Sequence, residues 1–165
     1  MPAASHTELS VRELRPDERP WLAERLREAW GSPVVVSRGR AHDASKLPAL
    51  VCEEGGAAVG IATFEVSGDE LELVTIEAFD QGRGAGSLLL AAAVEESRAR
   101  GCRRLWLITT NDNLRALRFY QRRGLRLAAL HVGAADEARR IKPSIPLVGH
   151  HQIPIRDELE LDLEL

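Results

Sequence analysis

Two stretches of this 165-residue chain have residue types and spacing that suit chemistry. The first is Gln81-Gly82-Arg83-Gly84-Ala85-Gly86-Ser87, with glycines at alternate positions and the apolar run Leu88-Leu89-Leu90 directly behind. A helix N-terminus exposes about four unpaired backbone N–H groups and a partial positive charge. Small residues let an anion come close to those groups. The amides of Gly82 through Ser87 therefore suit a phosphate. The dinucleotide pattern G-x-G-x-x-G fails in both registers, ending on Ser87 or Leu89, and no Gly-Lys-Ser/Thr follows for a Walker loop. A tight strand-to-helix turn packed on a sheet explains the same glycines. The second stretch is Glu70 to Ile76. At a period of two, Glu70, Glu72, Val74 and Ile76 share one strand face, and Glu77 falls on the other. Carboxylates beside an apolar run gain a raised pKa useful to a general base; the alternative is a pair of exposed charges on a wet face. His150-His151 does not read as a metal site, because adjacent histidines diverge on an extended chain and no third ligand is near.

These residues need a frame. Residues 7–14 suit a strand, and 15–31 a helix with Leu22, Leu26, Ala29 and Trp30 on one face and Gly31 as its stop. Residues 32–47 read as a loop or short helix. Turn signals at Gly55-Gly56 and Ser67-Gly68-Asp69 divide a three-stranded meander at 48–54, 57–66 and 70–78. A helix follows over 84–100, with Leu88, Leu89, Ala92 and Ala93 as its buried stripe. Then come a strand at 104–110, a helix at 111–123 ended by Gly124, a strand at 125–132 and a short helix at 134–141. The strand–helix–strand passage makes a parallel, right-handed crossover. The segment 142–155 is a long, proline-containing loop of the kind that often carries function. The last ten residues alternate Leu with Glu or Asp and read as a strand with one wet face.

Composition narrows the class. The chain is 44% apolar and 28% charged, with a formal net charge of −3, which argues against a nucleic-acid partner. No apolar run has the length of a membrane span, so no membrane partner is expected. The two cysteines, Cys52 and Cys102, form no CxxC pair, and the first ten residues lack a secretory pattern. The expected location is the cytoplasm. One domain over 1–165 is expected, with 1–6 as a flexible tail.

A further motif, Asn113-x-x-Ala116-x-x-x-Tyr120-x-x-x-Gly124-Leu125, lies one strand beyond the glycine loop. With Gln81-x-x-Gly84-x-Gly86 it resembles the GCN5-related N-acetyltransferase (GNAT) family, with Leu125 where phenylalanine is more usual. The order of elements agrees from about residue 8 to the last strand. The resemblance implies an α/β (α+β) GNAT fold: a mixed, mostly antiparallel sheet of six to seven strands with a splayed parallel pair, flanked by about four helices. It implies acetyl-CoA as co-substrate and no metal. The pantetheine arm would pair with backbone near Ile76 and Ala78, an amide near Ile76 would polarise the thioester, and Gly82, Arg83, Gly84, Ala85, Gly86 and Ser87 would hold the pyrophosphate with Gln81. Asn113 would contact the cofactor, cap its helix, or both. Tyr120 would protonate the leaving thiolate, and Glu72, nearer the reaction centre than Glu70, would be the base. Arg38, His42 and Asp43, with the 142–157 segment, would shape the acceptor pocket. The implied reaction is transfer of acetyl to a small-molecule or peptide amine by a monomer or homodimer. A non-catalytic acyl-CoA sensor or interaction module and a protein N-terminal acetyltransferase remain open at this point.

Overall fold

The computed structural model describes residues 7–165; the expected tail, 1–6, lies outside the described residues. In chain order the elements are β1 (Leu9–Glu13), α1 (Arg19–Trp30), β2 (Val34–Ser37), β3 (Arg40–Asp43), β4 (Ala49–Glu54), β5 (Ala57–Ser67), β6 (Glu70–Ala78), α2 (Ala85–Ala99), β7 (Arg104–Thr110), α3 (Leu114–Arg122), β8 (Arg126–His131), α4 (Ala134–Ile141) and β9 (Glu158–Glu164). Seven strands form one sheet in the order β1-β4-β5-β6-β7-β9-β8. Every neighbouring pair is antiparallel except β6 and β7. No helix among the described residues is long and apolar enough to cross a membrane.

The parallel pair sets up the site. β6 and β7 are joined in register at only three residue pairs, Glu70↔Arg104, Leu71↔Leu105 and Glu72↔Trp106. Beyond Glu72 the strands part and leave a gap in the middle of the sheet.

One side of the sheet carries the larger core, in which Ala62, Phe64, Leu71, Leu73, Leu105 and Leu161 pack against α2 and Tyr120 of α3. The buried stripe of α2 is Ala85, Leu89, Leu90, Ala93 and Ser97, so Leu88, expected inside, is exposed. On the other side α1 packs through Leu22 and Leu26 onto Leu14, Ala49, Val51 and Ile61. Ala29 and Trp30, expected on that stripe, are exposed; from α1 the cluster takes Leu22 and Leu26 alone.

Three expectations about local structure change. Residues 32–47 are a hairpin, with Val34↔Asp43 through Ser37↔Arg40 in register. Its turn has positive φ at both central residues, Arg38 (50°) and Gly39 (74°), the geometry that suits strand twist. The simple period of two along β6 also fails. A register shift opposite Thr63/Phe64 places Val74 out of pairing, so Thr63 pairs with Thr75 and Ala62 with Ile76. Ile76 therefore packs on the α2 side, while Glu72 lies on the α1 side. Glu77, expected opposite Glu72, pairs with Arg25 of α1 at 3.5 Å and shares its face. Finally, the acidic face of β9 is not wet. β9 is an interior strand between β7 and β8, and Glu158 and Glu160 are 3% and 6% exposed.

Candidate active site

The α2 side of the gap is a cleft built for an anion. The chain leaves β6 and turns into α2 through Gly82 and Gly84, at φ 85° and 92°, a region that disfavours side chains. Gly84 is the N-cap and offers no capping side chain. No acceptor among the described residues takes the amides of Gly82 through Ser87. Gly86 serves packing instead: a Cβ there would lie 3.3 Å from the Phe119 ring. A cavity of about 540 Å³ opens over this turn. Ile76, Ala78, Gln81, Gly82, Gly84, Ala85, Gly86 and Ser87 line it from one side, Asn113 and Tyr120 from the other.

Asn113 both lines the cavity and caps α3, accepting from the Ala116 amide at 3.2 Å. Tyr120 is buried, and burial pushes its phenol well above the ordinary value, so the hydroxyl stays protonated. Arg83 does not face the cavity; its guanidinium is bound by Glu54 and Asp80. The cations of the cleft are Arg115, Arg118, Arg122 and Arg123 on α3. Arg115 bonds Gln81, and Arg123 donates to the Ser87 hydroxyl at 2.6 Å.

The opposite side of the gap is lined by side chains and covered by the β2–β3 hairpin. Glu72 is 7% exposed. His42 of β3 sits between two carboxylates, with Nδ1 3.0 Å from Glu65 Oε2 and Nε2 3.5 Å from Glu72 Oε2. Burial pushes the Glu72 carboxyl above its usual range, the Ser37 hydroxyl and His42 offset part of that, and Glu65 adds to it. Across the gap burial also raises Glu158, although the Arg38 amide donates to it at 3.2 Å. Glu160 is buried too, but hydrogen bonds from Arg104 (2.5 Å) and His131 (3.2 Å) and the charge of Arg38 outweigh burial and hold it below its usual range. Among the described residues His42, Glu65 and Glu72 also form the one grouping whose ligand atoms lie within 4.8 Å of one another. Asp43 takes no part here. It accepts from the Ser45 amide at 3.2 Å and hydroxyl at 2.6 Å and caps the turn Ala44–Lys46, which lowers its pKa. His150 and His151 lie on an exposed turn, anchored where the His150 amide donates to Asp112 at 2.9 Å.

Residues 7–125 match the model of the acetyltransferase (GNAT) family. The chain belongs to that family. Its relatives include the uncharacterized Bacillus subtilis protein YxbD, 40% identical over 137 residues that cover 82% of this chain and 86% of YxbD. Among solved structures it is similar to an IAA acetyltransferase from Bacillus cereus, with a TM-score of 0.69 at 22% identity over 96% of this chain and 100% of that one. It is equally similar to a GNAT acetyltransferase from Elizabethkingia anophelis with acetyl-CoA bound, with a TM-score of 0.69 at 16% identity over 95% and 98% of the two chains. At these identities the solved structures establish the GNAT fold.

Within this GNAT frame the sequence reading misses two sets of residues. One is the arginine face of α3, whose signal was present: positions 115, 118, 122 and 123 fall on one helical face, facing back toward the glycine turn. The other is Ser37, Glu65, Trp106, Glu158 and Glu160 on the hairpin side. Those residues come from four strands, and no short motif links them.

Proposed function

We propose that this GNAT protein transfers an acetyl group from acetyl-CoA to a primary amine by direct attack in a ternary complex. The observation that supports this most is that two unlike sites flank one gap in the sheet. Free amides and arginines lie on one side, and a buried carboxylate lies on the other. The cleft fits the cofactor: its open amides and small residues suit a diphosphate, and the α3 arginines add charge.

Acetyl-CoA supplies an activated thioester. The unpaired side of β6 beyond Glu72 carries its amide-bearing arm, and an amide near Ile76 donates to the thioester oxygen. Glu72 takes a proton from the incoming ammonium. His42, between Glu72 and the part-exposed Glu65, offers that proton a route to solvent. One C–N bond forms and one C–S bond breaks; of the two N–H protons the ammonium loses, one leaves through Glu72 and the other ends on the departing sulfur, so one proton is released per turnover. Tyr120 has a smaller role than a full acid. Its raised pKa lies above that of a thiol, about 8.5, so transfer to the departing sulfur is uphill. Its O–H stabilises the thiolate by a hydrogen bond, and Tyr120→Phe is expected to lower kcat about tenfold.

Enclosure of Glu72 favours an enzyme over a passive sensor, because an unused buried carboxylate is a standing cost. The hairpin over the acceptor side favours a small amine over a protein chain. Titration calorimetry with acetyl-CoA, followed by thiol release with an amine panel, tests the reading. Binding together with thiol release is expected. No binding at millimolar ligand overturns it, and binding without release from any amine leaves the sensor.

A further inference from the structure

The acceptor side has two polar seats, and a single ammonium fills only one. The first lies around Glu72. Ser37 and His42 are each 4% exposed; His42 Nε2 has no hydrogen-bond partner among the described residues, and the Ser37 hydroxyl lies beside the Glu72 carboxylate, so that a proton directed at Glu72 leaves its own lone pairs free to accept. With the ring proton on Nδ1 toward Glu65, Nε2 is an acceptor. At 3.5 Å, His42 Nε2 and Glu72 Oε2 are too far apart to satisfy each other and well placed to bind a third atom between them. Glu72 Oε2, His42 Nε2 and the Ser37 hydroxyl make three acceptors, and a primary ammonium has three N–H donors.

The second seat lies across β7, around Trp106, Glu158 and Glu160. It already holds a cation. The Arg38 guanidinium lies 5.2 Å from the Trp106 ring centroid and 3.5 Å from Glu160 Oε1. A cation over an indole face beside a buried carboxylate is a favourable arrangement. Arg38 reaches the seat from the exposed hairpin turn, and its side chain stays half exposed. Glu160 is also bonded by Arg104 and His131, whereas Glu158 receives only the Arg38 amide. Arg104 lies over the same ring, 5.7 Å from its centroid, and is held there by Glu70, Glu160 and Asp162, so of the seat's two guanidiniums only Arg38 enters from a surface turn.

The sheet fixes the distance between the seats. Glu72 is in register with Trp106, and Trp106 with Asp162. Glu160 and Glu158 follow on the same face of β9. Adjacent strands lie about 4.8 Å apart and alternate residues about 6.8 Å. Two strand spacings and one alternate-residue step put Glu160 about 12 Å from Glu72 along the backbone, a distance that a flexible aliphatic chain spans.

We propose that the acceptor is a linear aliphatic polyamine: its reacting ammonium sits among Glu72, His42 and Ser37, and a second ammonium displaces Arg38 from the Trp106–Glu160 seat beside Glu158. This assignment rests on the acyl-transfer reading above. Arg38 acts as an internal stand-in for the distal charge.

The test compares spermidine, 1,4-diaminobutane and butylamine as acceptors for the intact protein with saturating acetyl-CoA. Spermidine is expected to exceed butylamine in kcat/KM by about 10²-fold, a difference of roughly 2.7 kcal/mol. Glu158→Gln and Trp106→Ala are expected to bring that ratio toward one. Arg38→Ala is expected to lower the KM for spermidine several-fold by vacating the seat. Titration calorimetry of spermidine and butylamine against the wild-type protein with CoA gives a readout independent of any variant's folding, and spermidine should bind more tightly. Equal kcat/KM for spermidine and butylamine, or preference for a peptide amine, overturns the polyamine assignment while acyl transfer stands. No thiol release with any amine overturns the acyl-transfer reading and this assignment with it.

Discussion

On the proposed reading, the two sides of the gap recognise charge by opposite means. On the α2 side the recognising groups are backbone amides, left free because glycines replace side chains at a strand-to-helix turn. On the hairpin side they are carboxylates, a histidine and an indole drawn from β3, β5, β6, β7 and β9. The first site is open and local in sequence; the second is enclosed and assembled from distant segments. Backbone recognition tolerates change in most side chains and suits a ligand common to a family. Side-chain recognition changes with each substitution and suits a ligand particular to one member.

If the two sides are separable, substitutions should divide cleanly between them. The largest effect is expected from Glu72→Gln, which removes the proposed base and should lower kcat by about 10²–10⁴-fold. Acetyl-CoA affinity by calorimetry should hold. A parallel loss of affinity would show that the sides are coupled. Next comes Gly84→Val. At φ 92° a β-branched side chain costs about 1–2 kcal/mol, and its methyls intrude on the amides. Acetyl-CoA affinity should fall about 10- to 100-fold, and the pH profile of turnover should stay in place.

That profile is itself a sharper test. The Glu72 carboxyl lies above its usual range, so kcat/KM should rise with pH along a single-proton limb centred above about 4.3. Binding of acetyl-CoA should not follow that limb. A limb at the ordinary carboxylate value would remove Glu72 as the base.

The smallest effect concerns stability. Because its folded pKa is raised, Glu72 favours the folded state most at low pH, where it is protonated, and loses that contribution as pH rises through the folded value. Glu72→Gln should therefore raise Tm at neutral pH by about 2–4 °C, for a change on the order of 1 kcal/mol. The gain should vanish as pH falls below the ordinary carboxylate range. The same comparison with Gly84→Val should show no such dependence on pH.

Much of the frame was legible. Turn signals bound the meander, and the glycine loop, Asn113 and Tyr120, singled out by type and spacing, line one cavity. What the pattern could not carry has physical causes. Alternation along Glu158–Glu164 separates two faces, but it cannot tell water from a buried polar layer, so Glu158 and Glu160 read as solvated. One unpaired residue at Val74 reverses the facing of everything after it, and nothing in the residue types there announces a bulge. The hairpin at 34–43 has a two-residue turn of Arg38-Gly39, and arginine is a weak signal for a left-handed position. Arg83 is bound by Asp80, three residues before it, and by Glu54, a partner that only the fold brings close.

The separation of β6 from β7 after three residue pairs has a consequence for which molecules the gap admits. An open row of strand donors and acceptors normally invites other chains and promotes aggregation. Here the row lies inside the molecule, with β7 across from it and α2 beneath, rather than on an outer edge. On the proposed reading a slender, unbranched thread bearing its own amide groups completes the ladder, and girth sorts visitors before any charge is felt.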